Sequence, residues 1–455
     1  MNRSHDNLRR LIWLYFWLLL LEGALRKWLV PGLSNVLLIV RDPIVVLIYA
    51  LAIREGVFPA SGMILWTVIL AMLSFMASFA GIGDLAVTIY GLRADFLHLP
   101  LVFVMPRVLR GEDVRRMGLA LLALLIPMTA LAVKQFQAGP KSWWNVGAGG
   151  EIGGQLYAAA GKVRASGTFS FVTGLACYLA LTTSFLLDDL LGRRTYPRWL
   201  SYTAVPAIAM ALGVSGSRTA VISVAIVCSL VLYIALRRPE QMRGAMIFLL
   251  LGVAAVVGLT TLVPIFQEGL AVQHERFENG GGVEQGIVMR FAQDFIAAGG
   301  SLSRAPVLGL GLGVGTSVGA RLLSGQAEFA LGEGEWQRVI MESGATLGAA
   351  YIALRCAMLF VVVITALKAY RAGRILPLLL VGAGGLDLAT GQFGQPTTLG
   401  FAVFTAGLAL SAAQQEDQAA PPPRPLSTSQ PTDVTIRGRS SYAERLHGGD
   451  EGEAR

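Results

Sequence analysis

The chain has 455 residues, of which 54% are hydrophobic and only 15% are charged, with a formal net charge of +8. Soluble domains carry about one quarter charged residues, so this low charge fraction excludes an ordinary soluble protein. Apolar runs of about 18 residues or more recur, and each is long enough as a helix to cross a bilayer. Because a backbone in lipid must satisfy its own hydrogen bonds, the fold predicted is all-α, a polytopic bundle of transmembrane helices.

The basic residues and the cysteines set further limits. Lysines and arginines cluster at the ends of the apolar runs, where membrane orientation and lipid headgroups account for them. No nucleic-acid partner is therefore predicted. Cys177, Cys228 and Cys356 all lie inside apolar runs, which predicts neither a disulfide framework nor a metal site. We expect no cofactor.

About twelve apolar segments are predicted to span the membrane. In chain order they are residues 11–30, 34–53, 62–80, 85–105, 117–134, 170–190, 199–214, 219–236, 244–263, 340–366, 375–391 and 397–413. Basic residues fall at alternate loops, and the positive-inside rule makes those loops cytoplasmic. Both termini are then cytoplasmic, and residues 135–169, 215–218 and 264–339 lie outside. Arg26 and Lys27, near the outer end of the first segment, run against this orientation.

The predicted organisation is one membrane domain followed by a tail. Residues 1–413 form the membrane domain, in which residues 264–339 are a long, partly helical extracytoplasmic loop. Residues 414–455 are rich in proline and poor in aromatics, so they lack the means to form a core. A disordered cytoplasmic tail is predicted there.

Several charged residues fall within or beside the predicted spans. They are Glu22, Arg41, Asp42, Arg93, Asp95, Arg355 and Asp387. Charges are costly in lipid and usually face a protein interior or a wet cavity. The sequence leaves two interpretations open. One is the wall of a polar cavity, and the other is interhelical ion pairing, such as Arg93 with Glu22 or Asp42.

Two arginines are predicted at the outer ends of spans. Arg218 follows the tight turn at residues 214–217, and Arg164 closes the loop before the sixth segment. A guanidinium presents a planar fork that suits phosphate. The alternative for each is an arginine that extends from a helix end toward water.

The long outer loop carries further candidates. Residues 287–295 have apolar positions on one predicted helical face, while Arg290 and Asp294 lie four residues apart on the other. The alternative is a helix lying on the membrane surface. The glycine-rich run at residues 309–315 lacks the Lys-Ser/Thr of a phosphate-binding loop, and a tight backbone turn is the better interpretation.

The start of the tenth span combines acids with an arginine. Glu335, Arg338 and Glu342 recur at helical spacing on one face, and Trp336 lies beside them. A carboxylate at the membrane boundary can act as a general base when burial tunes it. The alternative is that these acids complement the helix N-terminus.

These features together resemble the O-antigen ligase and O-antigen polymerase superfamily of bacterial inner-membrane proteins. The resemblance is carried by the Ser217-Arg218 turn, by Arg290 in a long outer loop, and by the sequence PVLGLGLG at residues 306–313. It is best over residues 210–365. The N-terminal sequences EGALRKWLVPG and YGLRADFLHLP are similar to those of polysaccharide-linked members.

The resemblance implies a metal-independent inverting glycosyltransferase that uses an undecaprenyl-diphosphate-linked glycan on the periplasmic face. Its partners would be a lipid-linked donor, a glycan acceptor, membrane lipids and other polysaccharide assembly proteins. It implies that Arg218 and Arg290 hold the diphosphate, with Arg164 a further candidate. Ligases of the family use a histidine late in the loop as base, whereas the one loop histidine here, His274, is early. Glu335 is therefore the predicted base, and polymerisation is favoured over ligation. The supporting residues predicted are Arg276, Asp294, Trp336, Arg338 and Glu342.

Two other functions fit the sequence. The intramembrane charges suit a transporter or flippase for a glycan or small anion, although such proteins usually have inverted repeats with paired broken helices, and none is evident in the sequence. The absence of the late-loop histidine suits a non-catalytic scaffold in a polysaccharide assembly complex.

Overall fold

The structure is a computed structural model. It describes residues 4–192, 194–279, 290–325, 331 and 334–414, and for residues 4 and 290–294 it describes the backbone but not the side chains. The regular structure in these ranges is helical, and no β-strand occurs in them; Tyr157 and Val163 form one isolated bridge. The predicted all-α class is confirmed. The predicted tail, apart from Gln414, lies outside the described residues.

The α-helices follow one another closely along the chain. They are α1 (Ser4–Ala24), α2 (Ser34–Leu37), α3 (Arg41–Arg54), α4 (Gly62–Ser78), α5 (Leu85–Leu92), α6 (Leu101–Val108), α7 (Gly111–Gln137), α8 (Val172–Leu191), α9 (Arg198–Ser215), α10 (Arg218–Arg237), α11 (Met242–Leu262), α12 (Pro264–Glu278), α13 (Arg290–Leu302), α14 (Ser317–Ser324), α15 (Glu335–Arg371), α16 (Leu376–Thr390) and α17 (Pro396–Ala413). Short π-helices occupy Leu25–Leu29 and Arg93–Leu97.

Each predicted span coincides with helical structure, but fewer helices qualify as spans by length and composition. Seven of the described helical segments are long and apolar enough to cross a membrane, and an eighth qualifies if the bent pair from Leu85 to Val108 counts as one span. The helices α4 and α16 are apolar but shorter, with 17 and 15 residues. Membrane character is therefore supported, while the count of twelve stays a prediction.

The centre of the bundle is formed by α8 and α17, in which nearly every residue is buried. Both pack against α16, and α17 also packs against α6 and α15. Small residues permit this closeness, since a Cβ added at Gly384 of α16 would lie 2.8 Å from the Thr405 side chain of α17. At the other extreme, α11 has no buried residue although it is strongly apolar, as expected of a helix that faces lipid.

Two helical segments are interrupted inside the bundle. The long helix α15 breaks at Gly344, which has φ of 82°, and the pair Leu85–Leu97 and Leu101–Val108 is bent by 44°. The glycine-rich segment, residues 306–316, lies between them. Gly309 approaches the Glu342 carbonyl of α15, and Gly313 approaches the backbone of α5, each too closely for a Cβ. The predicted backbone turn is present, since the Gly309 backbone donates to the Pro306 carbonyl and the Thr316 backbone to the Gly313 carbonyl, each at 3.0 Å, and the segment also contacts both interrupted helices.

Most of the charges predicted inside the spans form ion pairs, whereas the Asp387 side chain contacts the Cys177 thiol. Arg93 donates to Asp42 at 3.1 Å, which confirms the interhelical ion pair predicted for it. Glu22 accepts from Arg41 at 3.0 Å and from Arg26 at 3.4 Å. The Arg93–Asp42 and Arg41–Glu22 contacts join separate helical segments, as paired charges in a membrane interior usually do.

Candidate functional site

The turn between α9 and α10 places Arg218. The helix α9 ends at Ser215, and the backbone reverses at Gly216 with φ of 59°. Ser217 caps α10 by accepting a hydrogen bond from the Ala220 backbone at 3.3 Å. Arg218 is thus the first residue of α10, where the helix N-terminus adds its own positive field.

The loop before α8 brings Arg164 to the same turn. A Cβ added at Gly216 would lie 3.0 Å from the Ala158 side chain and 3.7 Å from Cγ of Arg164. The Arg164 backbone donates to the Leu156 carbonyl at 2.9 Å, and its Nε donates to the Tyr157 carbonyl at 2.9 Å. The short hairpin-like loop that contains Tyr157 therefore holds the aliphatic part of the Arg164 side chain beside the turn that precedes α10.

A third arginine comes from α12. Nη1 of Arg276 lies 3.5 Å from the Tyr157 carbonyl, the oxygen that Arg164 also contacts. The helix is held against α9 because Gln273 donates to the Leu212 carbonyl at 3.0 Å and to Ser215 Oγ at 3.1 Å. We call Arg164, Arg218 and Arg276 the arginine cluster.

The positive charges of the arginine cluster repel one another. Burial, and then the charges of Arg164 and Arg218, lower the pKa of Arg276 to about 10, so it remains a cation at neutral pH. Among the residues that the structure describes, no carboxylate forms an ion pair with Arg218 or Arg276. The nearby Glu268 is instead engaged by Lys162 at 2.7 Å.

The cluster is also open to a ligand. All three arginines are half-buried rather than sealed, and Nε of Arg276 is a buried donor without a hydrogen-bond partner in the described structure. Guanidiniums that converge on one place suit a phosphate or diphosphate, which accepts several charge-assisted hydrogen bonds.

The remaining diphosphate candidate can be placed only by its backbone. Arg290 opens α13, whose bounds are Arg290–Leu302. Its side chain, like that of Asp294, lies outside the described residues. The predicted grouping of Arg290 with Arg164 and Arg218 therefore stays a prediction, whereas Arg276, predicted as a supporting residue, is brought into the cluster.

Glu335 belongs to a different group of residues. It accepts from Arg338 at 2.9 and 3.0 Å, from Arg355 at 2.8 Å and from the Phe393 backbone at 3.2 Å. Only 4% of the residue is exposed. Its described contacts are with α15 and the segment after α16, and none of them is with the arginine cluster.

Arg338 is the hub of this second group. Besides Glu335, it donates to Glu342 at 2.6 Å and to Asp95 at 2.7 Å. We call Asp95, Glu335, Arg338, Glu342 and Arg355 the charge cluster. It joins α15 to the π-helix Arg93–Leu97, so it ties the two interrupted segments together.

Trp336 lies next to the charge cluster. Its indole donates to the Ala389 carbonyl at 2.9 Å, and its ring meets Phe295 of α13 edge to face, with 4.7 Å between centroids. These contacts fix the start of α15 against α13 and α16.

A comparison of the sequence with protein-family models and with curated proteins found no match. The resemblance stated above therefore continues to rest on its motifs alone.

Proposed function

We propose that the protein transfers or polymerises glycan from an undecaprenyl-diphosphate-linked oligosaccharide at the periplasmic face of a bacterial inner membrane, in the biosynthesis of an exopolysaccharide or O-antigen type of product. The observation that carries this proposal is the convergence of Arg164, Arg218 and Arg276 from three separate elements. An anionic headgroup attached to a lipid fits such a cluster in a helical membrane protein.

The chemistry proposed is metal-independent and inverting. The donor loses its diphosphate as the acceptor hydroxyl attacks the sugar, so negative charge grows on the leaving group. Fixed guanidiniums stabilise that charge, and preorganised donors of this kind commonly contribute about a hundredfold or more to rate. The acceptor hydroxyl also needs a base. Glu335 stays the predicted base, although it lies in the charge cluster.

The test is conservative replacement of each cluster arginine. Lysine keeps the charge but loses the planar fork, so R164K, R218K and R276K should each lower glycan polymerisation by about tenfold or more. The matched control is R116K on α7, an exposed arginine that pairs with Glu112. The measurement is glycan chain length in cells that contain equal amounts of each variant. Wild-type chain lengths from all three cluster variants would contradict the proposal.

A transporter or flippase is the second candidate, favoured by one specific observation. The interrupted segments at Gly344 and at Leu85–Val108 contact each other through Arg338 and Asp95, and transporters often build sites from discontinuous helices. Purified protein in vesicles distinguishes the two functions. Movement of a lipid-linked glycan across the bilayer without a change in its length would favour transport over glycosyl transfer.

A further inference from the structure

The charge cluster contains more acids than bases. Asp95, Glu335 and Glu342 supply three carboxyl groups, whereas Arg338 and Arg355 supply two guanidiniums. None of the five residues is more than 4% exposed. If every group were ionised, one negative charge would remain uncompensated inside the protein.

The surrounding residues do not supply the missing cation. Arg93, on the same π-helix as Asp95, is engaged by Asp42 of α3. From α16, the Asp387 side chain meets the Cys177 thiol at 3.4 Å. From α15 itself, the Tyr351 hydroxyl donates to the Asp95 backbone carbonyl at 2.8 Å. Over the part of the chain that the structure describes, no further lysine, arginine or histidine contacts the three acids.

A bound metal ion is a poor solution to this imbalance. The three carboxyl groups all converge on the guanidinium of Arg338, which would repel a metal cation. No group of histidine, cysteine or acidic residues suited to a metal occurs among the described residues. A proton, by contrast, neutralises a buried carboxylate directly, and an ionised group without compensation is costly in such a place.

We infer that the charge cluster is a proton-binding site, in which Asp95 and Glu342 together hold one proton. The hydrogen bonds indicate these two acids rather than Glu335. Glu335 accepts four hydrogen bonds, three of them from guanidiniums, so it is the best-stabilised anion. Among the described residues, Glu342 and the Asp95 side chain each accept from one guanidinium only, that of Arg338, and Glu342 also accepts from the Gly315 backbone.

The proton lies where its loss would affect how the two interrupted segments pack together. Glu342 lies two residues before the break in α15 and accepts from Gly315 of the glycine-rich segment at 2.7 Å. Asp95 lies on the π-helix of the other interrupted segment. Loss of the proton would therefore leave three anions around Arg338, at the junction of both interruptions.

Infrared spectroscopy of the purified full-length protein in nanodiscs tests this site. At neutral pH, a protonated carboxyl group gives a carbonyl band that ionised carboxylates lack. Glu342→Gln and Asp95→Asn should each remove one carboxyl equivalent of this band relative to wild type. The control is Glu112→Gln, since Glu112 is an exposed acid paired with Arg116, and it should leave the band unchanged. Differences between spectra are used because other acids within the bundle, such as Asp387, can contribute to the same band.

The same variants give a second readout. The folded protein holds a proton that the unfolded chain releases, so wild-type thermal stability should fall as pH rises toward and above neutrality. Glu342→Gln should flatten this dependence. An unchanged protonated band in both Glu342→Gln and Asp95→Asn would overturn the inference. So would failure of both variants to fold, because an amide reproduces the shape and neutrality of a protonated acid.

Discussion

At the residue scale, the contacts of Arg276 and Glu335 place each residue differently from the role predicted for it. Arg276, predicted as a supporting residue, shares the Tyr157 carbonyl with Arg164 and lies close enough to Arg218 for that charge to lower its pKa. Glu335 is fully engaged by two arginines and a backbone amide. The sequence predicted the residue types of both clusters but could not assign partners, because Asp95 and Arg338 are 243 positions apart.

Glu335→Gln separates a structural role from a catalytic one. Arg355 has Glu335 as its one ion-pair partner in the described residues, so the glutamine variant should lose about 3 kcal/mol or more of stability. Glu342→Gln should lose less, since Arg338 keeps Asp95 and Glu335. The measurement is thermal unfolding of both purified variants under the same conditions.

Glu335→Gln also tests whether Glu335 acts as the general base. If Glu335 has that role, folded Glu335→Gln protein should make little or no extended glycan, because losing a positioned base typically lowers the rate about a hundredfold or more. Full-length glycan from the folded variant protein would show that Glu335 forms ion pairs but is not the base.

At the element scale, the helices were predictable and their interruptions were not. Long apolar runs predict helices because only an internally hydrogen-bonded backbone tolerates lipid, and each predicted run coincides with helical structure that is interrupted in places. The break at Gly344 depends on a contact with Val307, whose carbonyl would lie 2.3 Å from an added Cβ. Such long-range backbone contacts leave no periodic pattern in the sequence.

Gly344→Ala should therefore be damaging. At φ of 82° an added Cβ is strained, and it would also collide with the Val307 carbonyl. We expect a loss of about 1–3 kcal/mol from the strain alone. Gly252→Ala on α11 is the matched control, because nothing lies within 4 Å of its added Cβ, and alanine favours a helix by about 1 kcal/mol. Thermal melting in detergent compares the two, and equal melting temperatures would contradict the assigned contact.

At the scale of the whole molecule, the orientation in the membrane is still a prediction from charge. Cysteine labelling tests it in a chain whose three native cysteines are replaced. A cysteine at Ser324, at the end of α14, should react with an impermeant reagent in intact cells. A cysteine at Ser429, in the predicted cytoplasmic tail, should react only after lysis. The reverse pattern would invert the topology and move the arginine cluster to the cytoplasmic side.

Arg26 and Lys27, the two basic residues that argue against that orientation, are enclosed by the protein. Lys27 is 1% exposed and donates to Ser166 Oγ and to the Gly167 and Phe169 carbonyls at 2.8 to 3.1 Å. Arg26 donates to Ser170 Oγ at 3.2 Å. Both charges are thus enclosed by the protein, so they do not meet the lipid headgroups that a charge rule counts.

These contacts also bear on the order in which the protein is made. The partners of Lys27 follow it by about 140 positions, so the first helix leaves the ribosome long before they exist. Until residues 166–170 are synthesised, the charged end of that helix must stay in water or headgroups. That charged end is enclosed only when the loop before α8 packs against it. The burial of the first segment is therefore completed by a later part of the chain.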